Sequence, residues 1–194
     1  TGLMDNSIIV FTADHGENLG EHHYITHGHP YERALHVPLM FHFPDERGAG
    51  VRVSSLVEVH DILPTIMEML DMPVPDGLDG ISFKNILDSP EDAGPEHGRP
   101  FVLSCGGLND EEKRTYSLFD GNYRSIKDIR WSEHTLLYDI LNDPLETTDI
   151  SAELPDIVQQ HHSIIDLLTR HAGPVVEPVY DPETYEMLKS LGYI

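Results

Sequence analysis

Cysteine occurs once in these 194 residues, at Cys105, so an internal disulfide is excluded. Its neighbours Ser104, Gly106 and Gly107 give no metal-ligand spacing, which leaves Cys105 as a small buried apolar side chain. Lysine is scarce, with four residues, and Lys plus Arg total 12 against 34 Asp plus Glu. The formal net charge of −22 argues against nucleic acid as a partner, because neutralising phosphates takes Lys and Arg. Long apolar runs are also missing. The longest, Ile8-Ile9-Val10-Phe11, falls far short of the roughly 20 residues needed to span a bilayer, so no membrane segment is expected.

Histidine is abundant instead. There are 13, and five of them (His15, His22, His23, His27 and His29) crowd into one stretch with Glu17 and Glu21. Imidazoles bind metals, transfer protons and hydrogen-bond anions. Just before this stretch, Ser7–Thr12 is rich in β-branched and aromatic residues, as a buried parallel strand would be. It ends at Ala13-Asp14-His15-Gly16. Ligands of open α/β sheets bind beyond the carboxyl ends of strands. Asp14 and His15, side by side there, are candidate ligands for a divalent cation, with Gly16 allowing a sharp turn.

Further along, Val37–Phe43 reads as a second strand, and Val59–Leu70 as an amphipathic helix with Val59, Ile62, Leu63, Ile66, Met67 and Leu70 on one stripe. Asp61 suits its first turn, where a carboxylate complements the helix dipole. Asp88–Pro100, with three prolines and two glycines, reads as a surface crossing and divides the chain at 98/99. Beyond it, Phe101–Ser104, Thr115–Phe119, Tyr123–Ile129 and Thr135–Asp139 are strand candidates, and Asp120-Gly121-Asn122 is a hairpin signal. Leu154–Leu168 and Glu183–Leu191 read as helices. The expected fold is α/β: parallel strands with flanking helices over 1–98, then a small antiparallel sheet with a helix over 99–194. Thr1–Asn6 reads as the tail of a helix entering the first strand, so a longer N-terminal remainder of the same protein is expected.

The stretch Ile9-Val10-Phe11-Thr12-Ala13-Asp14-His15-Gly16-Glu17 resembles the segment of sulfatases, in the alkaline phosphatase superfamily, where an apolar strand ends in Ser/Thr-Asp-His/Asn-Gly-Glu. Tyr31-Glu32 with Val37-Pro38-Leu39, Asp61-Ile62-Leu63-Pro64-Thr65, Asp79-Gly80-Ile81-Ser82 and Leu137-Tyr138-Asp139 through Asp143-Pro144-Leu145-Glu146 are similar to further segments of that family, in the same order. Leu188–Ile194 looks like a common C-terminus of such proteins. The resemblance implies a metal-dependent hydrolase of sulfate monoesters. It assigns Asp14 and His15 to a divalent metal, commonly Ca2+, with Mn2+ or Zn2+ also suited to an imidazole ligand. His27 falls where many sulfatases carry a sulfate-binding Lys, which implies substrate binding and proton transfer there, and His29 is a second substrate-binding candidate. The formylglycine motif Cys/Ser-x-Pro-x-Arg does not occur in the sequence and is expected upstream. Other readings are a phosphonate or phosphate ester hydrolase, a phosphoethanolamine-type transferase of the same superfamily, or a non-catalytic cap.

Overall fold

The computed structural model describes residues 2–106, 114–128 and 134–170, with 181, 182, 186, 187 and 189 beyond them. The expected helix Glu183–Leu191 therefore falls largely outside the described residues. In chain order the first half holds β1 (Ile9–Thr12), β2 (Asn18–Leu19), β3 (Ile25–Thr26), the one-turn helix α1 (Glu32–Leu35), β4 (Leu39–His42), α2 (Ile62–Met69) and α3 (Lys84–Asp88). The second half holds β5 (Val102–Gly106), β6 (Thr115–Phe119), β7 (Tyr123–Asp128), β8 (Thr135–Asp139) and α4 (Pro155–Thr169).

The α/β class stands, but the strand direction in its first half is corrected. β1 and β4 pair antiparallel, with Ile9 opposite His42 and Thr12 opposite Leu39. Apolar composition does not encode direction. A parallel neighbour needs a crossover that carries the chain to the other end of the sheet. Residues 13–38 instead fold into the short β2–β3 hairpin and α1, and re-enter at the edge they left. Both ends of the His-rich segment are thereby pinned to one rim. β1 is also less buried than expected: Ile9 and Phe11 lie exposed, while Val10 and Thr12 are half-buried, as strand alternation dictates.

In the second half, β5–β8 form an antiparallel four-stranded meander in sequence order. Alternation gives this sheet two different faces. Tyr116 and Leu118 pack on Ile165 of α4, and the polar Ser125 and Lys127 on that same face also reach α4. Ser125 donates to His161 Nδ1 (2.7 Å), and His161 Nε2 donates to Asp120 of the β6–β7 turn (3.2 Å). The opposite face carries Phe119, Ile126, Leu136 and Tyr138, which gather around Tyr31 from the His-rich segment. The small sheet thus sits between α4 and the loop that bears the candidate site.

α2 begins three residues later than expected, at Ile62, because Val59–Asp61 forms a 3-10 turn. Its apolar stripe is half in solvent: Leu63 and Leu70 are exposed, and Pro64 and Thr65 are the buried pair. Asp61 has a larger role than complementing a dipole. It is 1 % exposed, its carboxylate accepts from the Glu58 and Ile81 backbone N–H groups (2.9 and 2.7 Å), and Arg99 grips both its oxygens. Burial pushes this carboxyl up, but Arg99 and the two N–H donors outweigh it and hold the group below its ordinary value. Asp61→Asn is expected to cost about 2 kcal/mol, because it leaves a donor facing donors. Arg99 keeps Glu58 as a partner (3.1 Å), which limits the loss. Urea denaturation checks this, and an unchanged midpoint contradicts it.

Candidate metal centre

β1 delivers Asp14 and His15 to the rim just past its last residue. The His15 backbone N–H donates to Asp14 Oδ1 (2.9 Å), which folds the carboxylate back toward the imidazole. Asp14 Oδ2 and His15 Nε2 end 3.8 Å apart, so the two side chains converge. His15 Nδ1–H donates to the Gly16 carbonyl (2.8 Å). That fixes the tautomer and leaves Nε2 with a free lone pair, the arrangement typical of a metal-ligating histidine. Donor chemistry and spacing both fit a divalent cation.

Gly16 is required for a different reason than a sharp turn. Its φ is not positive. A Cβ there would lie 2.0 Å from the Arg33 carbonyl oxygen, and its N–H donates to the Ala34 carbonyl (2.8 Å). Close approach to α1 excludes a side chain and ties the candidate ligands to that helix.

His27 joins this group from the far arm of the β2–β3 hairpin. Its ring stacks on His15 with centroids 4.0 Å apart, and its Nδ1 lies 3.2 Å from Glu17 Oε2. The hairpin is latched by Asn18, which is fully buried and whose amide donates to the Thr26 carbonyl (2.8 Å). Glu17 and Asn18 were not singled out by sequence reasoning. The signal available for Glu17 was its position two residues from His15 in a His-rich run. His29 goes elsewhere: its ring stacks on Tyr24 (3.5 Å) and lines a cavity of about 180 Å³ with Thr115, Asp128, His134 and Leu136.

A buried ionic cluster fixes the loop to the small sheet. Arg124 of β7 is 4 % exposed. It donates to Glu32 at the start of α1 and to Ser117 Oγ (2.9 Å), and its Nε lies 3.2 Å from Glu146 Oε1. Glu146 Oε2 accepts from the Glu32 backbone N–H (2.9 Å) and lies 3.9 Å from His22, whose ring stacks on Tyr31. One guanidinium serves two carboxylates unequally. Burial pushes Glu146 up to about 7 despite Arg124. At Glu32 burial acts the same way, but the hydrogen bond with His36 and the Arg124 charge outweigh it and leave the group below its ordinary value. Burial also lowers His22.

This carries a pH prediction. Glu146 sits at about 7 when folded, against an ordinary 4.5. Between those values the folded chain holds a proton that the unfolded chain has lost, so its contribution to stability is full at low pH and disappears as pH rises through about 7. From about pH 5 to pH 8 the wild type is expected to lose up to about 3 kcal/mol more than Glu146→Gln. Urea denaturation at both values checks it, and parallel losses contradict it.

A second group, Glu58, His60 and Asp61, also brings ligand-type atoms together. Arg99 lies among them, 3.1 Å from Glu58 and bonded to Asp61, so a cation already occupies that charge. At Cys105, burial pushes the thiol up, away from a thiolate nucleophile. Among the described residues, no helix is long and apolar enough to cross a membrane.

Comparison with known proteins places the chain among its relatives. The family model described as Sulfatase matches residues 1–72, which include β1, the His-rich segment and α2. Arylsulfatase K of Gallus gallus is 34 % identical over 173 residues, covering 85 % of this chain and 31 % of that protein. Arylsulfatase K of Rattus norvegicus is 33 % identical over 175 residues, covering 84 % and 30 %. The chain thus spans about a third of the length of these relatives. A solved structure described as a complex with the substrate D-glucosamine-2-N,6-O-disulfate superposes with a TM-score of 0.74 at 26 % identity, over 88 % of this chain and 36 % of that one. Phosphonate monoester hydrolase of Agrobacterium radiobacter superposes with a TM-score of 0.69 at 26 % identity, over 86 % and 36 %.

Proposed function

Because the chain belongs to the sulfatase family, we propose that its residues 1–98 supply the cation-holding and anion-holding side of a hydrolase for sulfate monoesters, with 99–194 as a supporting subdomain. The observation that carries this reading is the convergence of Asp14, His15 and His27 at the rim where β1 ends. Asp14 Oδ2 and His15 Nε2 would hold a divalent cation, Ca2+ foremost. That ion, when bound, supplies Lewis-acid polarisation of the sulfuryl oxygens.

The chain's own groups account for the rest. The Gly16 carbonyl holds His15 in the ligating tautomer. Glu17 accepts a hydrogen bond from His27 Nδ1–H, so the imidazolium form of the ring keeps its Nε2–H for the substrate. As the nucleophile, a formylglycine carried outside residues 1–194, attacks sulfur, the bond from sulfur to the ester oxygen breaks. His27 Nε2–H then donates to that departing oxygen, so the product leaves as an alcohol. His29, which lines the cavity between the loop and the small sheet, would contact the alcohol portion.

A second reading, hydrolysis of phosphonate or phosphate esters, has the Agrobacterium neighbour in its favour. Assay of the full-length protein on an aryl sulfate and on an aryl phosphonate, each with and without chelator, separates the two. The proposal expects faster turnover of the sulfate and at least a tenfold loss on chelation. Preference for the phosphonate, or indifference to chelator, contradicts it.

A further inference from the structure

We infer that His15, Glu17 and His27 form a binding site for a divalent transition-metal ion of the zinc class, which shares His15 with the Asp14–His15 pair and so competes with it. One ligand atom from each of the three lies within 4.8 Å of the others. Their donors are two imidazole nitrogens and one carboxylate oxygen. Such a set suits zinc, cobalt, nickel or copper, whereas calcium takes oxygen ligands. Three protein ligands with a fourth position open to water is also a stable zinc arrangement.

The spacing is nearly there already. Tetrahedral ligands at zinc's bond lengths stand roughly 3.3 Å apart, and His27 Nδ1 and Glu17 Oε2 are 3.2 Å apart. An ion between them takes the place of the shared proton, which is released to solvent. His15 Nε2 is presented in the correct tautomer because Nδ1 is committed to the Gly16 carbonyl. The stack of His15 on His27 holds the two rings on one side of the hairpin. The three side chains are between a third and a half exposed, which gives an ion a path in without unfolding.

The consequence for activity rests on the function proposed above. An ion held here would take His15 from the Asp14 pair and would replace the Nδ1 proton of His27, leaving Nε2–H a far weaker acid, so zinc would inhibit the hydrolase that calcium supports.

The test is calorimetric titration of Zn2+, and Co2+ absorbance, on the full-length protein and its Glu17→Gln, His27→Gln and His23→Gln variants. Far-UV circular dichroism confirms that each is folded. Expected is one ion per chain, with affinity at least tenfold weaker in Glu17→Gln and in His27→Gln, an intense tetrahedral Co2+ band lost in both, and His23→Gln behaving as wild type. Absence of binding, unchanged affinity in Glu17→Gln, or an equal loss in His23→Gln overturns the site. Ca2+ titration of Asp14→Asn reports on the proposed function alone: if it matches wild type, that reading fails while the zinc isotherm still decides this one.

Discussion

Arg124→Ala is expected to destabilise the chain by about 3–5 kcal/mol, because it leaves buried charge without its partner. The Arg124 side chain is 4 % exposed and stands between Glu32 and Glu146, which are 16 % and 2 % exposed. Removing it strands the Glu32 carboxylate beside Glu146, whose carboxyl burial already pushes up to about 7, and leaves Ser117 Oγ without its donor. Phe119 also loses the guanidinium over its ring, 5.0 Å from the centroid. The loss reaches beyond stability, since Glu32 opens α1, and α1 receives the Gly16 N–H that anchors the candidate ligands. Adding Glu146→Gln to Arg124→Ala should recover part of the loss above pH 7, because the buried Glu146 must otherwise carry a charge or take up a proton there. That coupling is the signature of a shared network. Urea denaturation of the two single variants and the double variant measures it. A cost under 1 kcal/mol, or strict additivity, contradicts the role assigned to Arg124.

His27→Gln is expected to slow sulfate ester hydrolysis by the full-length protein about 10²–10⁴-fold with a poor leaving group such as a sugar alcohol, the usual range for loss of a general acid. A nitrophenolate leaves readily without a proton, so with nitrophenyl sulfate the loss should be much smaller. This contrast separates proton donation from simple anion binding, which would depress both substrates alike. Glu17→Gln should show the same leaving-group pattern at roughly a tenth of the depth, since outer partners of an active histidine typically contribute less. Equal losses on the two substrates would sink the proton-transfer role and leave His27 as an anion contact.

The small sheet was readable because its strands are short runs rich in β-branched, aromatic and other apolar residues, and its turn carries Asp120-Gly121-Asn122. Thr115–Phe119 and Thr135–Asp139 run to the residue as expected, and Gly121 takes the positive φ that the turn needs. The direction of β1 against β4 was not readable, because side-chain pattern reports which face is covered and not which way a neighbour runs. Arg124 and Glu146 are 22 residues apart in sequence and Glu32 lies 92 residues before Arg124. Their meeting is a product of the sheet packing on the loop, and no local pattern announces it. At the candidate site, Asp14, His15 and His27 could be found from the strand end, the His-rich run and the family resemblance. Glu17 could not be told from Glu21 by type or density. The structure separates them: Glu17 faces His27, while Glu21 turns back to cap the Leu19 backbone N–H (2.7 Å).

In the proposed site Asp14 and His15 point their donors at one ion, and Mn2+ line broadening in NMR spectra of the protein and of Asp14→Asn tests that most directly. Mn2+ accepts carboxylate and imidazole ligands and broadens nearby signals even when bound weakly. The expected result is that the Asp14 amide and the His15 ring protons broaden at the lowest Mn2+ additions, and that Asp14→Asn needs at least tenfold more ion for the same effect. Broadening centred on Glu58 and His60 instead, or an identical response in Asp14→Asn, would contradict it.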